Sequence, residues 1–191
     1  MNSVRAVVIG ASAGGVAALF EVLGGLPKGF EPPVLCVLHL PGDRPSQLAE
    51  VLQQRLQRPV REACDKEPVE PGRIYVAGPA YHLSIERDFS LSLSQEAPVH
   101  FSRPAIDVLF HSAADVYGEG LLGIVLTGAN EDGARGLAYI KKCGGRTLVQ
   151  DPRDAQVASM PEAALALHRP DHILSLSGIG QLLATLESRP C

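Results

Sequence analysis

Apolar runs that scarcely alternate are the feature that most restricts this chain. Val4–Ile9, Pro33–Leu38 and Leu121–Leu126 are short and apolar at nearly every position. A strand with one wet face alternates; a strand covered on both faces does not. The first run leads into Gly14–Leu26, apolar at Val16, Leu19, Phe20, Leu23 and Leu26 and stopped by Pro27, the pattern of an amphipathic helix. The second leads through His39-Leu40-Pro41-Gly42 into a helix over about Pro45–Leu56. This βαβα opening predicts a parallel sheet with right-handed crossovers. After Leu126 the alternation resumes. A helix runs to about Lys142, with a short strand at Arg146–Val149 and a short helix near Pro161–Leu167. A strand at His172–Leu174 and a helix at Gly178–Glu187 complete the series.

The middle of the chain reads differently. Arg73–Ala77, Tyr81–Ile85 and Phe89–Leu93 are short and alternating, with a turn at Glu86-Arg87-Asp88. They predict a β-hairpin or small antiparallel extension inserted into or added to the sheet. Ala97–Arg103 reads as a loop and Ala105–Tyr117 as a helix with Pro104 at its first turn. The expected fold class is therefore α/β: a doubly wound, mostly parallel sheet with helices on both faces and a small antiparallel β extension.

The 191 residues fit one domain, 1–191, with no internal repeat or low-complexity linker. A net charge of −4 without a basic run argues against nucleic acid. No apolar run approaches membrane-spanning length, and no signal segment opens the chain, so the expectation is a cytoplasmic protein without membrane insertion. Cys36, Cys64, Cys143 and Cys191 are scattered, which gives no support to zinc or a disulfide framework. No metal and no cofactor are expected.

In open α/β sheets ligands bind at the carboxyl ends of the strands. After the first strand stands Gly10-Ala11-Ser12-Ala13-Gly14, the G-x-S-x-G pattern of a nucleophile elbow. A sharp strand-to-helix turn projects the serine, and the helix behind it directs free N–H groups at a forming oxyanion. After the second strand stands His39, and after the third a loop holding Glu131 and Asp132. These are the parts of a serine hydrolase: nucleophile, base and orienting carboxylate. Each also has a plainer reading. Ser12 or Asp132 could cap a helix, and His39 could be a loop histidine. His82, His100, His111, His168 and His172 lack its position at a strand end. Glu131 and Asp151 compete with Asp132 for the third place, and spacing does not choose among them. The order Ser, His, Asp differs from the Ser, acid, His of α/β-hydrolases. A dinucleotide fingerprint would want glycine at Ser12 and an acid near His39.

With these residues assembled, the sequence resembles the catalytic domain of CheB-type chemotaxis protein-glutamate methylesterases. The resemblance rests on VVIGASAGGVAAL, VLHLP, YVAGPAYHL, FSRPAIDVLFHSAA, GIVLTGANEDGARGL and ASMPEAAL in that order, covering nearly the whole chain. It implies Ser12 as nucleophile, His39 as base and Asp132 as orienting acid. It implies oxyanion donors among backbone N–H groups near His39 or Ala13 and in the Gly128–Asn130 loop. The implied substrate is a glutamate γ-methyl ester on the cytoplasmic helices of a methyl-accepting chemoreceptor, releasing methanol; deamidation of glutamines is the same acyl chemistry. Two positions depart from the family pattern. Ala13 stands where threonine is usual, and Ala129-Asn130 where the loop usually carries methionine and glycine. Family members usually carry an N-terminal receiver domain. Three residues ahead of the first strand leave no room for one, so the expectation is a stand-alone esterase or part of a longer protein. Arg103 and Asn130 are further cleft candidates that equally well structure their loops.

Overall fold

The computed structural model describes residues 3–39 and 46–186. Its strands are β1 (Ala6–Ala11), β2 (Val34–Leu38), β3 (Val60–Glu62), β4 (Ile74–Val76), β5 (His82–Ile85), β6 (Leu91–Ser94), β7 (Leu121–Val125), β8 (Arg146–Gln150) and β9 (His172–Leu174). Its helices are α1 (Gly15–Gly24), α2 (Leu48–Leu56), α3 (Ile106–Tyr117), α4 (Ala134–Lys142), α5 (Ser159–Leu167) and α6 (Leu176–Ala184). A seven-stranded sheet has the order β3-β4-β2-β1-β7-β8-β9, and every pairing in it is parallel. β5 and β6 form a separate antiparallel hairpin. The fold is thus the expected doubly wound α/β sheet with a small antiparallel addition. No helix among the described residues is long and apolar enough to cross a membrane.

The unbroken apolar runs are explained by two cores, one on each side of the sheet. Val7, Ile9, Val34, Cys36, Leu122 and Ile124 face the layer of α1, α2 and α6. Ala6, Val8, Leu35, Val37, Leu121 and Val125 face α3, α4, α5 and the hairpin. Successive side chains leave a strand on opposite faces, so burial on both demands apolar residues throughout. Burial also pushes the Cys36 thiol up to about 12, which makes it an inert core residue.

Three segments depart from expectation. Ile74–Val76, grouped with the antiparallel extension on sequence, is an interior strand lying parallel between β2 and β3. Three residues are too few to separate alternation from full burial: Ile74 and Val76 enter one core and Tyr75 the other. β3 itself is an edge strand with no sequence signal, three residues passing from buried to exposed. Phe89, expected in a strand, lies in the hairpin turn at φ 63 and packs edge-on against Tyr117. The expected start of the second helix at Pro45 lies outside the described residues, and so does Glu187 at the end of the last.

The winding reverses between β1 and β7. From β1 the chain first builds outward through β2 to β4 and β3; it then returns to the other side of β1 to add β7, β8 and β9. That reversal opens a crevice at the carboxyl ends of the strands, where the loops after β1, β2 and β7 meet.

Candidate active site

Hydrogen bonds tie the three strand ends together. The Ser12 amide donates to the Thr127 carbonyl at 2.9 Å, and the His39 amide to the Ala11 carbonyl at 3.1 Å. Residues from three distant parts of the sequence are therefore held in one row by the continuing ladder. The elbow turns at Gly14, whose φ of 78° lies in the left-handed region. A Cβ there would also meet the Gln156 side chain at 2.6 Å, so glycine is required on both counts. Buried Thr127 clamps the elbow from below. Its hydroxyl donates to the Ala13 carbonyl at 2.8 Å and accepts from the Val157 amide at 2.9 Å. Its own amide donates to Gln150 Oε1 at 2.8 Å.

His39 and Asp132 meet. Nε2 of the imidazole lies 2.8 Å from Oδ2 of the carboxylate, which is fully buried. Asp132 is locked from its other side by the start of α3. Oδ2 accepts the Ile106 amide at 2.6 Å and Oδ1 the Asp107 amide at 2.9 Å. α3 has no side-chain cap of its own, its N-cap being Ala105. The carboxylate from the distant loop serves in that place, with the helix dipole favouring its charge. Since a carboxylate only accepts, the proton of neutral His39 sits on Nε2 and the free lone pair on Nδ1. Nδ1 is 3.4 Å from the Ser102 hydroxyl, a long hydrogen bond. Ser12 Oγ has no hydrogen-bond partner among the described residues, so the serine lies beside the imidazole's row without a bond to it.

Competing acids lie elsewhere. Both oxygens of Asp151 pair with Arg153, whose guanidinium holds that half-buried carboxyl below the usual range. Glu131 reaches His100 instead, 3.3 Å from Nδ1. Asn130 Oδ1 accepts the Asp132 amide at 3.2 Å, and Arg103 Nη1 donates to the carbonyls of Gln95 and Glu96 at 3.1 and 3.0 Å. Both are loop-structuring contacts. Two of the amides near the implied oxyanion position are already engaged. The His39 amide bonds Ala11, and the Gly128 amide donates to Val157 at 3.1 Å. Ala13, Ala129 and Asn130 are the amides of that set that have no partner among the described residues. Leu40, which follows His39, lies outside the described residues.

Sequence reasoning passed over a second histidine–carboxylate group. His100 Nε2 lies 3.4 Å from Asp107 Oδ2, while Asp107 Oδ1 accepts the Gly136 amide at 2.7 Å. Burial pushes the Asp107 carboxyl above its ordinary range, and the neighbouring Asp132 charge adds to this against the Gly136 amide and the two histidines His111 and His100. His82 is buried and braces the same loop. Nδ1 accepts the Ala105 amide at 3.1 Å and Nε2 faces the Ala97 carbonyl at 3.0 Å. Of these residues only Asp107 falls in the FSRPAIDVLF stretch, and its contacts depend on how the preceding loop folds. His100, Asp107 and Asp132 bring ligand-type atoms within 4.8 Å of one another. Both carboxylates, however, already accept backbone N–H groups, so the cluster is organised by hydrogen bonds.

Comparison with known proteins places the chain in a family. The sequence profile of the family described as CheB methylesterase matches residues 7–183. A Leptospira interrogans protein, provisionally named protein-glutamate methylesterase/protein-glutamine glutaminase, is 43% identical over 183 residues, 96% of this chain and 95% of that protein. A Bordetella pertussis protein-glutamate methylesterase/protein-glutamine glutaminase is 38% identical over 96% of this chain but only 53% of its own length. The crystal structure of the Thermotoga maritima CheB methylesterase catalytic domain superposes with a TM-score of 0.91 at 31% identity, covering 97% of this chain and 100% of that one.

Proposed function

Because this chain belongs to the CheB methylesterase family, we propose that it is a serine esterase acting on glutamate γ-methyl esters of chemoreceptor cytoplasmic helices, residues 1–191 being one catalytic domain. The observation that carries this reading is the 2.8 Å contact of His39 with Asp132, in a row of strand ends that also presents Ser12.

Asp132 holds the Nε2 proton, so His39 receives the hydroxyl proton at Nδ1. This is the opposite nitrogen from the one used in chymotrypsin-like proteases. The Ser12 hydroxyl takes the place of Ser102 at that nitrogen when the ester is bound. As Ser12 Oγ bonds to the γ-carbonyl carbon, its proton passes to His39 and negative charge gathers on the carbonyl oxygen. The amides of Ala13, Ala129 and Asn130 are the donors proposed to receive that charge. The imidazolium, stabilised by Asp132, then protonates departing methoxide, and methanol leaves. Water, activated by the same imidazole, cleaves the acyl-serine to a free glutamate carboxylate. A glutamine side chain would follow the same steps with ammonia leaving.

Methanol release from methylated chemoreceptor membranes, wild type beside Ser12→Ala, tests the reading. Release by the wild type alone is expected. Labelling by a fluorophosphonate without methanol release would keep the serine chemistry and discard the glutamyl ester. Equal release by both proteins would remove Ser12 from the reaction.

A further inference from the structure

Beside the site, the 97–105 loop carries a residue that the reaction does not use. Phe101 is fully exposed. It sits at the tip of a two-residue turn closed by Val99 and Ser102, whose amides and carbonyls exchange hydrogen bonds of 3.1 and 2.9 Å. Both central residues are left-handed, His100 at φ 48° and Phe101 at φ 61°. Such turns ordinarily take Asn or Gly there. Side-chain-bearing residues at positive φ are strained, and they persist where surrounding contacts over-determine them.

Contacts from four neighbouring side chains supply that constraint. His100 reaches Asp107 and Glu131 at 3.4 and 3.3 Å. Ser102 reaches His39 at 3.4 Å, and Arg103 clasps the carbonyls of Gln95 and Glu96. His82 spans the base of the loop between Ala97 and Ala105. The turn thus holds a large apolar ring in water, at a set position, one residue from the hydroxyl that touches the imidazole. At full exposure the ring buries no surface in the free protein.

We propose that Phe101 is a substrate anchor: its ring packs against the apolar face of the helix that carries the glutamyl ester. The inference rests on the methylesterase reading above. On a helix, residues three and four positions from the ester share its face, so a ring adjoining the site meets a side chain one turn away. Pre-organised aromatic anchors are the residues that dominate such contacts, because little freedom is lost on docking. A small ester carries no neighbouring helical turn to lay against the ring.

The test compares methanol release from a methylated soluble chemoreceptor cytoplasmic fragment with hydrolysis of p-nitrophenyl acetate. Phe101→Asn removes the ring and suits positive φ; Phe101→Gly does the same without any φ constraint; Phe101→Leu restores apolar surface. In Asn and Gly variants the ratio of kcat/KM on the fragment to that on the small ester falls about tenfold or more, through KM, and Leu recovers most of it. Equal losses on the two substrates would mean a structural role and overturn the inference, as would no loss on either. A loss seen with receptors in membranes but not with the soluble fragment would assign the ring to lipid and also overturn it. No release by the wild type would overturn the esterase reading itself, whereas release with unchanged ring variants overturns the anchor alone.

Discussion

Gly10 on β1 lies directly against Ile106 at the start of α3: a Cβ on Gly10 would fall 2.9 Å from Ile106 Cδ1 and nearer still to Cγ2. The Ile106 amide is one of the two that hold Asp132. The first glycine of the elbow therefore sets how closely α3 approaches the sheet, and with it where the carboxylate and His39 sit. Gly10→Ala should cost about 1–3 kcal/mol by overpacking. It should also lower methanol release per folded molecule, since Ile106 must move. Melting curves and activity measured together check this; a lower Tm with undiminished activity would separate Gly10 from the site.

Asp132→Asn should act twice. The amide offers N–H where Asp132 accepts, so the His39 tautomer is no longer enforced, and loss of activity should approach about 10⁴-fold as for the corresponding change in a serine protease. One backbone amide of α3 also loses its acceptor, at about 1–3 kcal/mol. Asp151→Asn and Glu131→Gln are the controls. Comparable losses in Asp151→Asn would misplace the third member.

Ser102→Ala should retain fluorophosphonate labelling, because Ser102 only occupies His39 Nδ1 until substrate brings Ser12 there. Mass mapping of the labelled peptide decides the matter. Labelling lost in Ser102→Ala and kept in Ser12→Ala would make Ser102 the nucleophile.

Thr127→Val keeps shape and removes the buried hydroxyl that bonds Ala13 and Val157. Leaving those groups unpaired should cost about 1–3 kcal/mol and slow serine labelling, since Ala13 adjoins Ser12. Denaturant titration and labelling rate are the measurements. Slower labelling without a stability loss would contradict the clamp.

His168 gives the pH dependence a sign. Burial holds its imidazole below the ordinary value, more than the Ala164 carbonyl and Asp171 raise it, with Lys141 acting in the same direction as burial. The unfolded chain then takes up the proton first, at about pH 6.5. The stability His168 contributes is complete above that value and lost as pH falls through the lower folded-state pKa. Between about pH 7 and about pH 5 the wild-type Tm should fall more steeply than that of His168→Gln. Parallel slopes would exclude His168 as the source.

Much of the architecture was legible in local sequence. Val7-Val8-Ile9 and its two counterparts read as strands buried on both faces, and the helices between them as amphipathic, because burial imposes its period directly on residue choice. β3 and β4 were not legible as parallel strands: three residues carry no period, and their direction is decided by the neighbours they join. His82, His100 and Asp107 gave no local sign of standing near the strand-end row. Their partners are contributed by segments far along the chain.

Sequence alone determined the buried strands β1, β2 and β7, the glycine elbow and the residue types at three strand ends, since each is written in residues close together in the chain. Only the tertiary structure decided which acid meets the histidine. Glu131 and Asp132 are neighbours in one loop, yet the first side chain is 67% exposed and the second 0%. What separates them is the start of α3, whose two open amides draw one carboxylate inward to meet an imidazole 93 residues away in the chain. A helix end and a loop brought together by crossover connections leave no trace in local pattern, so that choice belongs to the fold.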